Sequence, residues 1–113
     1  MVIAVDFDGT IVEHRFPKIG KEIPFAIQTL KMLQEDGHRL ILWTSREGKE
    51  LDAALNFCLR KGVVFYAVNK NYPEEETTGF AGRKIIADVY IDDRNLGGLP
   101  SWGRIYHILS GKY

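Results

Sequence analysis

Four short apolar runs alternate with amphipathic stretches along the 113 residues of the chain. The runs are rich in aliphatic and β-branched residues and lack strict apolar–polar alternation, which is typical of strands buried on both faces. The predicted strands are residues 2–5, 40–43, 63–68 and 87–91. Because helical stretches separate the first three strands, the pattern predicts an α/β domain with a parallel sheet and right-handed crossovers.

Three stretches place apolar residues at helical spacing. The first covers residues 23–36, and Gly37 follows it at the position where glycine commonly ends a helix. The second is predicted to end at Gly62, and the third covers residues 101–109 with Ser101 as its N-cap. The apolar stripe of the second helix consists of Leu51, Ala54, Leu55, Cys58 and Leu59.

Size and composition fit one soluble globular domain. The chain is 45% hydrophobic and 27% charged, and its length suffices for a single core. Fifteen basic residues balance fifteen acidic ones, which weighs against nucleic acid or a membrane as partner without excluding a local basic patch. The single Cys58 forms no internal disulfide, and no signal peptide or membrane-spanning run stands out. We therefore expect a cytoplasmic protein.

Three of the predicted strands end in polar residues suited to catalysis. These residues are Asp6 and Asp8 after the first strand, Thr44 and Ser45 after the second, and Asp92 and Asp93 after the fourth. The carboxyl ends of parallel strands meet at one edge of a sheet, where open α/β sheets bind ligands. An acidic loop after a strand is the plainer interpretation, but neighbouring carboxylates repel unless a cation or a proton lies between them.

The run Asp6-Phe7-Asp8-Gly9-Thr10 resembles motif I, DxDx[TV], of the haloacid dehalogenase-like (HAD) hydrolases. This resemblance implies a three-layer Rossmann-like fold with strand order 3-2-1-4 and helices on both faces. It also implies that residues 1–113 form a single catalytic domain. The segments 11–22 and 69–82 are too short for a cap domain, so the chain resembles the compact capless members of the family.

The resemblance implies a Mg²⁺-dependent phosphatase. In that chemistry Asp6 attacks phosphorus and forms an aspartyl-phosphate, while Asp8 protonates the leaving oxygen and later activates water. The implied metal ligands are Asp6, the backbone carbonyl of Asp8, and Asp92, which matches motif IV. Asp93 is either a further ligand or a partner of one.

The end of the second strand matches motif II of the same family. Thr44 is implied to bind a phosphoryl oxygen, although a threonine at a strand end also commonly serves a turn or a cap. Ser45 and Arg46 are predicted to open the second helix, whose N-terminal amides favour an anion. Arg46 can grip phosphate with two hydrogen bonds, and a surface salt bridge is the equally weighted alternative.

Motif III supplies a cation that offsets charge on the nucleophile and the phosphate. Lys84, eight positions before Asp92, is the best match, and Arg83 or Lys70 are the alternatives. This position, and not the residue type alone, distinguishes Lys84 from an ordinary solvated lysine.

The implied partner is a small phosphorylated substrate in an open site, which a neighbouring subunit of a homo-oligomer can close. The chain also fits other functions. A nucleic-acid end phosphatase uses the same chemistry, and a phospho-acceptor or metal-binding switch domain also uses aspartate, Mg²⁺, threonine and lysine. A scaffold protein that kept the fold is the third alternative, against which the full set of motif residues argues.

Overall fold

The computed structural model describes residues 1–75 and 85–111. Within these ranges the elements are β1 (Val2–Val5), α1 (Ala26–Glu35), β2 (Arg39–Leu42), α2 (Gly48–Arg60), β3 (Ala67–Val68), β4 (Val89–Ile91) and α3 (Trp102–Ser110). The strands pair in parallel, in the order β3-β2-β1-β4. The predicted α/β class and the strand order 3-2-1-4 are confirmed.

Strand β1 lies inside the sheet, where both of its faces are buried. Ile3 and Val5 belong to the larger core, and Ala4 belongs to a smaller core on the opposite face. Val5 pairs with Leu42 of β2 on one side and with Ile91 of β4 on the other. The three strands therefore end at the same level, so the residues that follow them meet at one edge.

The three described helices pack on the same face of the sheet. Leu30 of α1, Ala54 of α2 and Ile105 of α3 share the larger core, and α1 contacts α3 directly. The opposite face carries Ile41 and the smaller core. The connection from β3 to β4 contains residues 76–84, which lie outside the described residues. The predicted helix on the second face of the sheet also falls outside them.

Several predicted boundaries differ from the structure: β2 is Arg39–Leu42 instead of 40–43, and β4 begins at Val89 instead of residue 87. Helix α1 begins at Ala26 instead of residue 23, because Phe25 has a left-handed backbone (φ 66°) that ends the preceding turn. The third strand is reduced to Ala67–Val68. The N–H of Val63 still donates to the carbonyl of Cys58 and so belongs to the end of α2.

The apolar stripe of α2 is narrower than predicted. Ala54 and Cys58 are buried, Leu51 and Leu55 are half-buried, and Leu59 is 58% exposed. Burial raises the pKa of the Cys58 thiol to about 12, so it stays protonated. Cys58 is a packed core residue.

Helix α3 is tied to the turn that follows β1. Ser101 caps the helix as predicted, since its Oγ accepts a hydrogen bond from the N–H of Arg104 at 3.3 Å. The buried Trp102 donates from Nε1 to the carbonyl of Thr10 at 3.0 Å, and its own carbonyl accepts from the hydroxyl of Thr29. The C-terminal helix thereby supports the turn that carries the acidic residues.

The helices in the described ranges contain 9 to 13 residues. None of them has the length and apolar character needed to cross a membrane.

Candidate active site

The carboxyl edge of the sheet opens into a pocket of about 460 Å³. Five of the residues singled out from the sequence line it: Asp6, Asp8, Thr44, Ser45 and Asp92. The backbone continues the sheet pattern here, because the N–H of Asp6 donates to the carbonyl of Ile91 at 3.0 Å. The parallel register thus brings together side chains that are up to 86 positions apart in the sequence.

A cluster of carboxylates forms the floor of this edge. Oxygen atoms of Asp6, Asp92 and Asp93 all lie within 4.8 Å of one another, and the three residues are half-buried. Carboxylates this close repel each other unless a proton or a cation lies between them. Mg²⁺ prefers oxygen ligands, and carboxylates in particular, so the cluster fits such an ion.

The pKa values of two carboxylates in the cluster are raised above their ordinary value. Burial raises the pKa of Asp6 to about 6 from its ordinary 3.8, the N–H of Phe7 opposes the shift, and the Asp92, Asp93 and Asp8 carboxylates add to it. Burial also raises the pKa of Asp93, together with a hydrogen bond and charge repulsion from Asp92. Without a cation, the cluster therefore retains protons at pH values where isolated carboxylates are charged.

The turn after β1 positions Asp93 directly. The N–H of Asp93 donates to Thr10 Oγ1 at 3.1 Å, and Thr10 is fully buried. Gly9 has φ +84°, and a Cβ added there would stand 2.9 Å from Asp93 Cγ. Glycine is therefore required at this position both for the backbone conformation and for the approach of the carboxylate.

The carboxylate of Asp8 is held apart from the cluster by Arg46. Arg46 donates from Nε to Asp8 Oδ2 and from Nη2 to Asp8 Oδ1, both at 2.7 Å. The remaining donors of its side chain bond to backbone carbonyls of Pro17, Lys18 and Glu50. The guanidinium is fully buried and all five of its N–H groups have acceptors within the protein.

The salt-bridge interpretation of Arg46 is confirmed in part, because the guanidinium pairs with Asp8, but the pair is buried and not at the surface. The N–H groups of Arg46 already have acceptors within the protein, and its contact with phosphate stays a prediction. Helix α2 begins at Gly48, so Ser45 and Arg46 precede the helix instead of opening it. The guanidinium also lies 5.1 Å from the ring centroids of Phe7 and Phe16.

Thr44 combines a turn role with a place on the pocket wall. Its Oγ1 accepts a hydrogen bond from the N–H of Arg46 at 3.1 Å, which leaves the hydroxyl hydrogen free to donate. Its own N–H donates to Asn69 Oδ1 at 2.8 Å. Asn69, which no sequence motif marks, directly follows β3 with φ 54° and fixes the backbone of Thr44.

Among the described residues, four more line the pocket: His14, Phe16, Trp43 and Arg94. Nothing in the sequence marks Phe16 and Arg94 as site residues. His14 could be expected near the site only because it lies in the loop that follows β1. Trp43 directly follows β2. These residues give the pocket an aromatic and basic rim above its acidic floor.

The motif III assignment lies mostly outside the described residues. Lys84 and Arg83 belong to the segment 76–84, so their contacts stay predictions. Lys70 is half-buried and is not among the described residues that line the pocket.

The fold and the pocket define an α/β protein with an acidic site at the carboxyl edge of its sheet. No protein-family model and no curated protein matches the chain. A solved structure of a conserved protein from Bacteroides thetaiotaomicron is 61% identical, with a TM-score of 0.91, over 100% of this chain and 92% of that one. The chain belongs to the same family as this Bacteroides protein.

A second solved structure matches far more distantly. It is a D,D-heptose 1.7-bisphosphate phosphatase from B. bronchiseptica complexed with magnesium and phosphate. The identity is 16% and the TM-score 0.49, over 97% of this chain and 63% of that one. A likeness this slight supports no conclusion about fold or function.

Replacing Arg46 by Leu should lower the free energy of unfolding by about 3–5 kcal/mol, because it leaves a half-buried carboxylate without its partner. Urea denaturation measures the change. Arg60→Leu is the matched control, since Arg60 is an exposed residue of α2 that donates to the carbonyl of Asn56. The control should change stability by no more than about 0.5 kcal/mol, and equal losses in both variants would contradict the buried pair.

Gly9→Ala should weaken Mg²⁺ binding about tenfold, because the new methyl group displaces the Asp93 carboxylate. Gly97→Ala is the control, since Gly97 has φ +89° and an added Cβ meets nothing within 4 Å. Both variants carry the same backbone strain, so their difference in affinity isolates the contact with Asp93. Titration calorimetry provides the affinities, and equal values would remove Asp93 from the metal site.

Stability without metal should fall as pH rises from about 4 to about 6. The pKa of Asp6 is raised in the folded protein, so the folded state binds this proton more tightly than the unfolded chain does. Between the two pKa values the unfolded chain releases the proton that the folded state still binds, which removes about 2 kcal/mol of stability by the time the pH passes the folded pKa. Urea denaturation across this range should show a shallower decline for Asp6→Asn, whereas the exposed Asp52→Asn should follow the wild type.

Proposed function

We propose that the protein is a Mg²⁺-dependent phosphomonoester hydrolase of the HAD type that acts through an aspartyl-phosphate on Asp6. The observation that carries the proposal is the cluster of Asp6, Asp92 and Asp93 within 4.8 Å, next to a pocket lined by the hydroxyls of Thr44 and Ser45. The motif I resemblance at residues 6–10 supports the same chemistry.

The residues that would hold the ion are Asp6, Asp92 and Asp93, with the backbone carbonyl of Asp8 added by the family resemblance. When bound, Mg²⁺ supplies positive charge that neutralises a phosphate ester and lets an anionic nucleophile approach it. The raised pKa of Asp6 fits this role, since a cation would replace the proton that the crowded carboxylates otherwise retain.

Asp6 serves as the nucleophile. One carboxylate oxygen forms a bond to phosphorus while the bond from phosphorus to the leaving oxygen breaks, which gives an acyl phosphate and an alcohol. Water then hydrolyses the acyl phosphate and regenerates Asp6. The half-buried position of Asp6 at the end of a sheet strand holds the attacking oxygen in a defined place.

Asp8 serves as the general acid and base. Its two oxygens offer about four acceptor sites, and the two hydrogen bonds from Arg46 leave room for a proton. Asp8 gives this proton to the leaving oxygen and later takes one from the attacking water. Arg46 stabilises the carboxylate that remains and orients it on the pocket wall.

The hydroxyls of Thr44 and Ser45 donate hydrogen bonds to the phosphoryl oxygens. Thr44 is suited to this because its backbone is fixed by Asn69 while its hydroxyl hydrogen is free. A cation from Lys84, or from Arg83 or Lys70, completes the site in this proposal. A small phosphorylated molecule is the proposed substrate, and a cytoplasmic location and closure by a second subunit stay predictions from the sequence.

Phosphate release from a panel of phosphomonoesters in Mg²⁺ tests the proposal. Asp6→Asn should reduce turnover by at least about 1,000-fold, because the amide keeps the shape but loses the nucleophile. Asp52→Asn, an exposed change on α2, is the control and should keep full activity. Acid quenching of the wild type during turnover should trap a hydroxylamine-sensitive phosphoprotein.

Equal turnover in wild type and Asp6→Asn would remove Asp6 from the chemistry. Absence of phosphate release across the panel, with Mg²⁺ bound and a stable phosphoprotein formed, would favour the phospho-acceptor switch instead.

A further inference from the structure

Two aromatic rings come from different elements to line the pocket. Phe16 lies in the loop between β1 and α1, and Trp43 directly follows β2. Trp43 is half-buried and packs on the smaller core, whereas Phe16 is 53% exposed and belongs to neither core cluster. Packing of the core therefore does not account for Phe16.

Both rings are held in place. The ring of Trp43 packs edge-on against Tyr90, with centroids 5.5 Å apart. The backbone N–H of Trp43 donates to the carbonyl of Val5 at 2.8 Å, which extends the sheet ladder. The ring of Phe16 has the buried Arg46 guanidinium 5.1 Å from its centroid, and the adjacent Pro17 carbonyl accepts from Arg46 Nη1. An exposed ring anchored in this way is an organised apolar surface.

The rim of the pocket adds hydrogen-bond donors. His14 and Arg94 both line the pocket and are exposed. A guanidinium has only donors, and an imidazole always has at least one. Such groups complement acceptor atoms at the edge of a heteroaromatic ring, and a plain hydrocarbon would not use them.

We propose that the substrate is a phosphate monoester whose leaving group carries a planar heteroaromatic ring, as in a nucleoside monophosphate, and that this ring packs against Phe16 and Trp43. Aromatic side chains recognise bases through their π-faces, while a few polar groups set orientation. The inference rests on the proposed phosphatase function and adds its substrate class. The acidic floor receives the phosphate, and the aromatic rim receives the ring.

Adenosine 5′-monophosphate and ribose 5-phosphate form the decisive pair of substrates. Both release a primary 5′-alcohol, so their intrinsic reactivity is matched and the base is the main difference. We expect kcat/KM to be at least about tenfold higher for the nucleotide, in line with base–aromatic stacking. Benzyl phosphate and cyclohexylmethyl phosphate form a second pair, which differs in aromaticity alone. If the enzyme prefers benzyl phosphate over cyclohexylmethyl phosphate less strongly than it prefers the nucleotide over ribose 5-phosphate, the donors of His14 and Arg94 contribute to recognition.

Phe16→Leu and Trp43→Leu test the two rings. Each should lower kcat/KM for adenosine 5′-monophosphate about ten times more than it lowers kcat/KM for ribose 5-phosphate. Phe25→Leu is the control, because Phe25 is 65% exposed and is not among the residues lining the pocket. Equal kcat/KM for the two substrates, or a preference that survives in both ring variants, would overturn the inference.

Binding can be measured without turnover. In Asp6→Asn with Mg²⁺, adenosine 5′-monophosphate should quench the fluorescence of Trp43, since the other tryptophan, Trp102, is buried. Ribose 5-phosphate should not quench it, and Phe16→Leu should weaken the nucleotide affinity about tenfold. If the nucleotide quenches the fluorescence but the wild type does not hydrolyse it, the phosphatase function is rejected and the ring-binding site is kept. If the wild type hydrolyses phosphomonoesters without quenching and without preference for the nucleotide, the ring-binding site is rejected and the phosphatase function is kept.

A 5′-phosphorylated oligonucleotide distinguishes the two sources of a nucleobase. We expect it to be no better a substrate than the mononucleotide, because the net charge of the chain is zero. A strong preference for the oligonucleotide that declines steeply with salt would overturn the assignment to a small molecule and identify a nucleic-acid end as the substrate.

Discussion

Repulsion among the carboxylates at the end of β1 and β4 is the constraint on which the site depends. The sheet ladder and the hydroxyl of Thr10 hold Asp6, Asp92 and Asp93 together against it. Gly9 contributes by lacking a Cβ where the Asp93 carboxylate lies. Burial is the largest cause of the raised pKa of Asp6, and the neighbouring carboxylates add to it, so a proton or a cation is favoured there. The fold thus maintains an arrangement that is unfavourable without a ligand, as functional sites commonly do.

Asp8, the fourth acidic residue of the site, has its negative charge balanced by Arg46. The two hydrogen bonds from Arg46 hold the Asp8 carboxylate in the pocket lining, and Asp8 is not a member of the cluster of Asp6, Asp92 and Asp93. The same guanidinium binds the carbonyls of Pro17 and Lys18 and supports the ring of Phe16. Buried ion pairs contribute little net stability but can specify one arrangement of the groups around them. One buried cation therefore connects the proposed general acid to the loop over the pocket.

Family membership and the geometry of the site answer different questions about the protein. The 61% identity to the Bacteroides protein establishes the family, and this family membership by itself assigns no activity to the chain. The proposed chemistry instead depends on the convergence of Asp6, Asp92 and Asp93 beside Thr44. The proposed substrate class depends on the aromatic rim, a feature separate from the acidic floor. The substrate-class proposal rests on the proposed chemistry, but experiments can distinguish the failure of one proposal from the failure of the other.

The sequence by itself determined the α/β class and the acidic residues at the strand ends, because apolar runs and strand-end polar residues are local patterns. The strand order came from the family resemblance and agrees with the structure. Only the tertiary structure decided the role of Arg46, since its partner Asp8 lies 38 residues away and burial depends on the packed fold. The same holds for Asn69 and Phe16. Their contacts join separate elements, and no local pattern encodes which distant groups a folded chain brings within bonding distance.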